Sequence, residues 1–353
     1  MPEQGRPRYA HWCERCLDFH AHFMHPEVYA ACAPHSVATG FGKQLIPPDL
    51  PAMQAMFDPE RQIDGMDERG IDVHVISACD VIISRSWAEP AEELRLTRLI
   101  NDTAAEWVSR HPERFIGSFA LPLGDMDAAL AEAERCIDMG LRVANLPSNH
   151  RGRYLGDRRY EALWAEFRRH DVVTFIHPDG VRDPWFQDYA MWNSIGQSIE
   201  EVRVMSSLIY EGVMDRHRGV KIVMAHGGGY MPHYMGRLDR NVTDKPHTTR
   251  NLSKLPSEYL RDFYYDSCVY DPRTLELLVE RVGIERVVLG GDYPVAAMHP
   301  LELLERATGL DDAQRAAIAG GNALALLGVG LGLGLGESGK LQASRTAQAP
   351  AAI

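Results

Sequence analysis

Asp18-Phe19-His20-Ala21-His22 closes a short apolar run, Cys16-Leu17-Asp18-Phe19, and sets two histidines two residues apart. In an extended strand, residues i and i+2 point to the same face. Two neutral imidazoles on one face can hold one metal ion. Three later β-type runs also end on a metal-competent residue: His177 in VVTFIHPDG, His226 in KIVMAHGGG and Asp292 in VVLGGDYP. Strand ends that converge on one mouth are a property of a parallel β-barrel. Each histidine taken singly is more often structural than ligating. Four strand ends that carry His or Asp in barrel order point to a shared metal site.

Composition is compatible with this. The chain has 353 residues, 45% hydrophobic and 24% charged, ordinary for a globular protein. That length holds a single (β/α)8 domain of about 250 residues with insertions. The net charge of −12 argues against general binding to nucleic acid or anionic membranes. Cys79, Cys136 and Cys268 lie in or beside apolar runs and read as small buried hydrophobes. Cys13-x-x-Cys16 beside His11 reads as half a zinc site whose second half is missing. The start, MPEQGRPRYAHW, has no apolar signal-like region, so a reducing cytoplasmic location is the expectation.

Taken in order, residues 1–16 are a polar lead-in, 17–327 the catalytic barrel and 328–353 a low-complexity tail that reads as disordered. Strands are expected at 17–22, 73–77, 115–120, 141–146, 172–176, 221–225, 263–267 and 287–290, with helices between them. Residues 23–58, rich in Pro and Gly, read as a long loop, a lid or part of a substrate pocket. A second pocket-sized loop, 178–196, is rich in Trp and Tyr. The fold class expected is α/β, a (β/α)8 barrel with long loops after strands 1 and 5.

On this barrel His20, His22, His177 and Asp292 supply three imidazoles and a carboxylate, a set suited to one Zn²⁺ or a similar divalent ion. His226, just before Gly227-Gly228-Gly229, reads as an acid/base, with Asp292 as the other proton-handling group. The glycines would let backbone approach a ligand, and the helix start beyond them would offer N–H groups to an anion. Phe23, Trp192 and Tyr293 lie near ligand motifs and are candidates to stack a planar substrate.

The set DFHAH, FIHP, AHGGGYMPHYMGRLD and GGDYP resembles the amidohydrolase superfamily. Connecting segments such as FDPERQIDGMDERGIDVHVIS, WNSIGQ and LPSEYLRDFYYDSCVYDPRTLELL resemble in particular the branch of 2-amino-3-carboxymuconate 6-semialdehyde decarboxylase. The resemblance implies a distorted TIM barrel, one Zn²⁺ (Mn²⁺ in some relatives), a homodimer and a small carboxylic acid substrate. It implies His20, His22, His177 and Asp292 as ligands and His226 as acid/base. Arg237 in MGRLD matches an arginine that reaches the substrate carboxylate, in some members from the neighbouring subunit. Two-metal relatives bridge their ions with a lysine at the end of strand 4. Here that strand ends Val143-Ala144-Asn145-Leu146-Pro147, which favours one metal. The chain departs from the branch before Phe57-Asp58-Pro59. A second arginine stands there in the naming decarboxylase, and Pro48-Asp49-Leu50-Pro51 here, with Lys43 as the nearest cation. The expected activity is metal-dependent, non-oxidative decarboxylation of a planar or aromatic acid. The alternative is hydrolysis or hydration of a small carbonyl, amide or unsaturated acid.

Overall fold

The computed structural model describes residues 12–40, 50–296 and 298–329. Eight parallel strands carry the fold: β1 (Leu17–Phe23), β2 (Val73–Ala78), β3 (Phe115–Phe119), β4 (Val143–Pro147), β5 (Val173–His177), β6 (Lys221–Met224), β7 (Tyr264–Asp266) and β8 (Val287–Val288). They are hydrogen-bonded in chain order. The barrel closes where β1 meets β8: Phe19 N–H donates to the Leu289 carbonyl at 2.8 Å and His22 N–H to the Tyr293 carbonyl at 2.7 Å. Helices between successive strands cover the outside, as parallel connections require.

The interior follows from alternation. Leu17, Phe19, Val73, Val75, Val143, Val173, Phe175 and Val223 pack together inside the barrel, and Ala323, Leu324 and Leu326 of the last helix plug its N-terminal end. Ile76, Ala78, Leu146, Ile176, Ile222 and Met224 point outward into the helical layer. On β5 the inward series Val173, Phe175, His177 runs without interruption from hydrophobic floor to functional mouth. On β1 it does not. Asp18 pairs with His74 and Ala21 with Ile76, so β1 advances three residues while β2 advances two. This bulge changes the facing of the strand. Below it Leu17 and Phe19 face in; above it His20 and His22 do, and Phe23 turns out. Simple alternation from Leu17 would have sent both histidines into the helical layer.

Several expectations are corrected. The segment 23–58 is not all loop: Pro26–Cys32 and Pro51–Phe57 are helices. Their prolines stand at helix starts, where the missing N–H is no loss and the fixed φ helps. His25 caps the first, and Val28, Tyr29 and Cys32 bury one face of it. Loop 178–196 contains a 3₁₀ segment, Pro184–Ala190, and a π-helical turn, Trp192–Gly196. Cys13 and Cys16 form a disulfide at the N-terminal end of β1, in place of free thiols or half a metal site. Cys79, Cys136 and Cys268 are free and buried. His11, Lys43, Pro48, Asp49 and the tail from 330 onward lie outside the described residues. Among the described residues, no helix is long and apolar enough to cross a membrane.

Candidate metal centre and active site

Four strand ends bring the functional side chains together. His20, His177, His226 and Asp292 each direct one ligand atom into a space where all four atoms lie within 4.8 Å of one another. His22 adjoins the same space: its Nε2 is 3.1 Å from His20 Nε2 and 3.0 Å from Asp292 Oδ1. All are buried except His226, which is half-buried and lines a cavity of about 620 Å³. Asn193, Ser194, Gln197, Ser198 and Tyr270 share that cavity wall.

Three imidazoles, those of His20, His226 and His22, are oriented by what their other nitrogen meets, whereas His177 Nδ1 is buried without a hydrogen-bond partner among the described residues. His20 Nδ1 is 2.6 Å from Asp266 Oδ2, which fixes the proton on Nδ1 and turns the Nε2 lone pair to the centre. Asp266 is fixed in turn by the N–H groups of Gly227 and Cys268. His226 Nδ1 is 2.6 Å from Glu201 Oε1, and its Nε2 faces Asp292 Oδ2 at 3.9 Å. His22 Nδ1 lies 3.4 Å from the Ser77 hydroxyl. Asp18, two residues before His20, accepts the N–H groups of His20 and Gly291 and holds the β1–β8 seam.

Electrostatics separate these groups. Burial, reinforced by neighbouring imidazoles, keeps His177 well below the usual histidine range. Burial also lowers His20, against the pull of Asp292 and Asp266. Burial would raise Asp292, but His20, His22 and His226 outweigh it and hold the carboxylate ionised. For His226 the balance is reversed. Burial would lower it, yet the Glu201 and Asp292 carboxylates raise it well above the ordinary value. Burial pushes Glu201 itself up to about 7, against the pull of His226.

Backbone geometry is unusual at the same places. His226 and Asp292 have φ of +49° and +52°, in the left-handed region that residues with a β-carbon rarely adopt. Gly227, Gly228 and Gly229 continue at positive φ. The triple-glycine turn differs from the expected anion site. Gly227 N–H is taken by Asp266, Gly229 N–H by the His226 carbonyl, and the helix beyond, Met231–Tyr234, is only four residues long.

The substrate candidates are not gathered in the same way. Phe23 is fully buried on the outer side of β1 against Trp107, 5.6 Å between ring centroids. Tyr293 packs outward too, beneath Arg69 at 4.6 Å and against Gly65. Trp192 is half-buried over Gly180, in the loop after His177, and its neighbours Asn193 and Ser194 line the cavity. Arg237 is exposed. It lines a separate surface cavity of about 590 Å³ with Tyr230, Tyr234, Val202 and Leu238, and has no ion-pair partner among the described residues.

Sequence reasoning passed over Asp266, Glu201 and Tyr270. Asp266 ends β7 as the ligands end theirs, so the same rule would have found it. Glu201 falls on the apolar stripe that continues through Val204 and Leu208, where an acid is out of place. Tyr270 carries no comparable signal.

The amidohydrolase family model matches residues 17–329. The 2-amino-3-carboxymuconate-6-semialdehyde decarboxylase of Dictyostelium discoideum is 32% identical over 279 residues, 77% of this chain and 77% of that protein. A gamma-resorcylate decarboxylase of Rhodococcus jostii is 29% identical, over 74% of this chain and 84% of that one. Among solved structures, 5-carboxyvanillate decarboxylase of Sphingomonas paucimobilis superposes with a TM-score of 0.80 at 25% identity, covering 90% of this chain and 99% of that one. The eight-stranded barrel, its oriented histidines and these likenesses agree: the chain belongs to the amidohydrolase family.

Proposed function

We propose that this protein is a metal-dependent, non-oxidative decarboxylase of small planar or aromatic carboxylic acids. The observation that carries the reading is the cluster of His20, His177, His226 and Asp292, with His22 beside it, in which His226 lines an open cavity. The related decarboxylases support it, since the names of all three refer to loss of a carboxyl group from an unsaturated or aromatic acid.

His20, His22, His177 and Asp292 would hold one divalent ion, Zn²⁺ or, as the alternative, Mn²⁺. The donor set fits a cation: two imidazole nitrogens 3.1 Å apart and a carboxylate held ionised share one buried space. When bound, the ion polarises the substrate carboxylate or a neighbouring hydroxyl oxygen. His226 does the proton work. Two carboxylates favour its imidazolium, so it carries a proton to the ring carbon. As the C–C bond breaks, its electron pair stays on that carbon, the His226 proton is added there and CO₂ leaves. Glu201 holds Nδ1 and so sets the direction of the donating Nε2. The proposal includes a cytoplasmic homodimer in which Arg237 meets a substrate carboxylate across the subunit boundary.

The test is CO₂ release from a panel of hydroxybenzoates and muconates by protein loaded with Zn²⁺ or Mn²⁺. Turnover that hydrolyses or hydrates a substrate without CO₂ would overturn the decarboxylase reading. His226→Asn should retain the ion and lower kcat by about 10²–10⁴. His22→Asn should lose the ion. Equal loss from both variants would make His226 a ligand.

A further inference from the structure

Tyr270 lies between β7 and the helix Pro272–Val282, with φ of +59°. It therefore shares the left-handed backbone of His226 and Asp292. Such a conformation opposes a side chain with a β-carbon, and persists where the surroundings impose it. Burial does not account for it, because Tyr270 is 52% exposed. Its hydroxyl reaches inward and donates to Asp292 Oδ2 at 3.3 Å. Its side chain lines the cavity that contains His226.

The two oxygens of Asp292 thus have different company. Oδ1 faces His22 Nε2 at 3.0 Å and His20 Nε2 at 3.4 Å. Oδ2 faces the Tyr270 hydroxyl and, at 3.9 Å, His226 Nε2. A free carboxylate can present either oxygen, or both, to a metal ion. A phenol fixed on one oxygen leaves the other for the ion and fixes the plane of the group.

We propose that Tyr270 is a positioning residue: its hydroxyl assigns Asp292 Oδ2 to the proton-handling side and reserves Oδ1 for the metal, while its ring walls the substrate cavity. The proposal rests on the reading of Asp292 as a ligand.

Metal dissociation constants should be measured by chelator competition at fixed pH for wild type, Tyr270→Phe, Tyr270→Gly and Asp292→Asn, with melting of each metal-free protein alongside. Tyr270→Phe should weaken metal binding about 10- to 100-fold, as loss of such supporting partners typically does. Tyr270→Gly should weaken it equally. Its metal-free fold should melt no lower than wild type, since glycine adopts positive φ freely. For an active acid, KM should rise in the glycine variant more than in the phenylalanine variant. Metal affinity of Tyr270→Phe within twofold of wild type, with Asp292→Asn clearly impaired, would overturn the role of Tyr270 alone. Undiminished binding by Asp292→Asn would overturn the ligand assignment and the proposal with it. Weakened metal binding in Tyr270→Phe, in a protein that releases no CO₂ from any acid, would uphold Tyr270 and refute the decarboxylase.

Discussion

A histidine is chemically ambiguous until its second nitrogen is occupied, and here the occupants give His20 and His226 different roles. Asp266 leaves His20 only a lone pair to offer, which suits a ligand. Glu201 favours the imidazolium of His226, which suits a proton donor. Two predictions follow from this sorting. Asp266→Ala should weaken metal binding about 10- to 100-fold, read by equilibrium dialysis. Glu201→Gln keeps a hydrogen-bonding group but removes a charge that raises His226. The His226 pKa should fall, and its acid form should then exist only at lower pH. The alkaline limb of the kcat–pH profile should therefore move to lower pH, and an unmoved limb would refute the role of Glu201. The strand-end rule picked out histidines that the fold brings together. It said nothing of their partners, which come from a helix and a strand remote in sequence.

Elements decide where an aromatic points. Tyr293 follows the Asp292 motif directly, and that proximity suggested a pocket residue. The helix Pro59–Arg69 claims it instead: Gly65 leaves a notch that the Tyr293 hydroxyl fills, and Arg69 covers the ring. A methyl group at Gly65 would run into that hydroxyl. Gly65→Ala should therefore lower unfolding stability by about 1–3 kcal/mol, a typical overpacking penalty. The double variant Gly65→Ala/Tyr293→Phe should recover part of the loss in denaturant unfolding. Independent, additive losses would show that the two do not meet. RQIDGMDERG, residues 61–70, reads as a short helix ending at Gly70, and the helix in fact begins two residues earlier, at Pro59. The face that a neighbouring strand end would choose was not readable, because it depends on packing across the barrel.

At the scale of the whole molecule, the barrel order and most element positions could be read from hydrophobic periodicity and from glycine and proline punctuation. Charge in the interior could not. His150, on a short hairpin beyond β4, is buried 3.5 Å from Glu93. Burial, with nearby arginines, lowers it to about 4, while burial raises Glu93, so both groups move toward their neutral forms. Below pH 6.5 the unfolded chain takes up a proton that the folded chain refuses. The contribution of His150 to stability is therefore intact above pH 6.5 and is lost as pH falls toward 4. The full gap converts to roughly 3 kcal/mol at about 1.4 kcal/mol per unit. His150→Gln should remove this dependence: the stability of wild type relative to the variant should decline between pH 6.5 and 4, measured by urea unfolding. A constant difference would refute it.

The bulge in β1 makes the chemistry of the strand a matter of reading frame. Residues before the shift are written in one phase, for the hydrophobic floor, and residues after it in the opposite phase, for the mouth. Substitutions in either half can thus be explored without disturbing the phase of the other. A pairing without the shift could not serve both. Were the intact β1 to run against β2 in strict alternation from Leu17, both imidazoles would turn outward, erasing half of the candidate ligand set while every histidine remained in the chain.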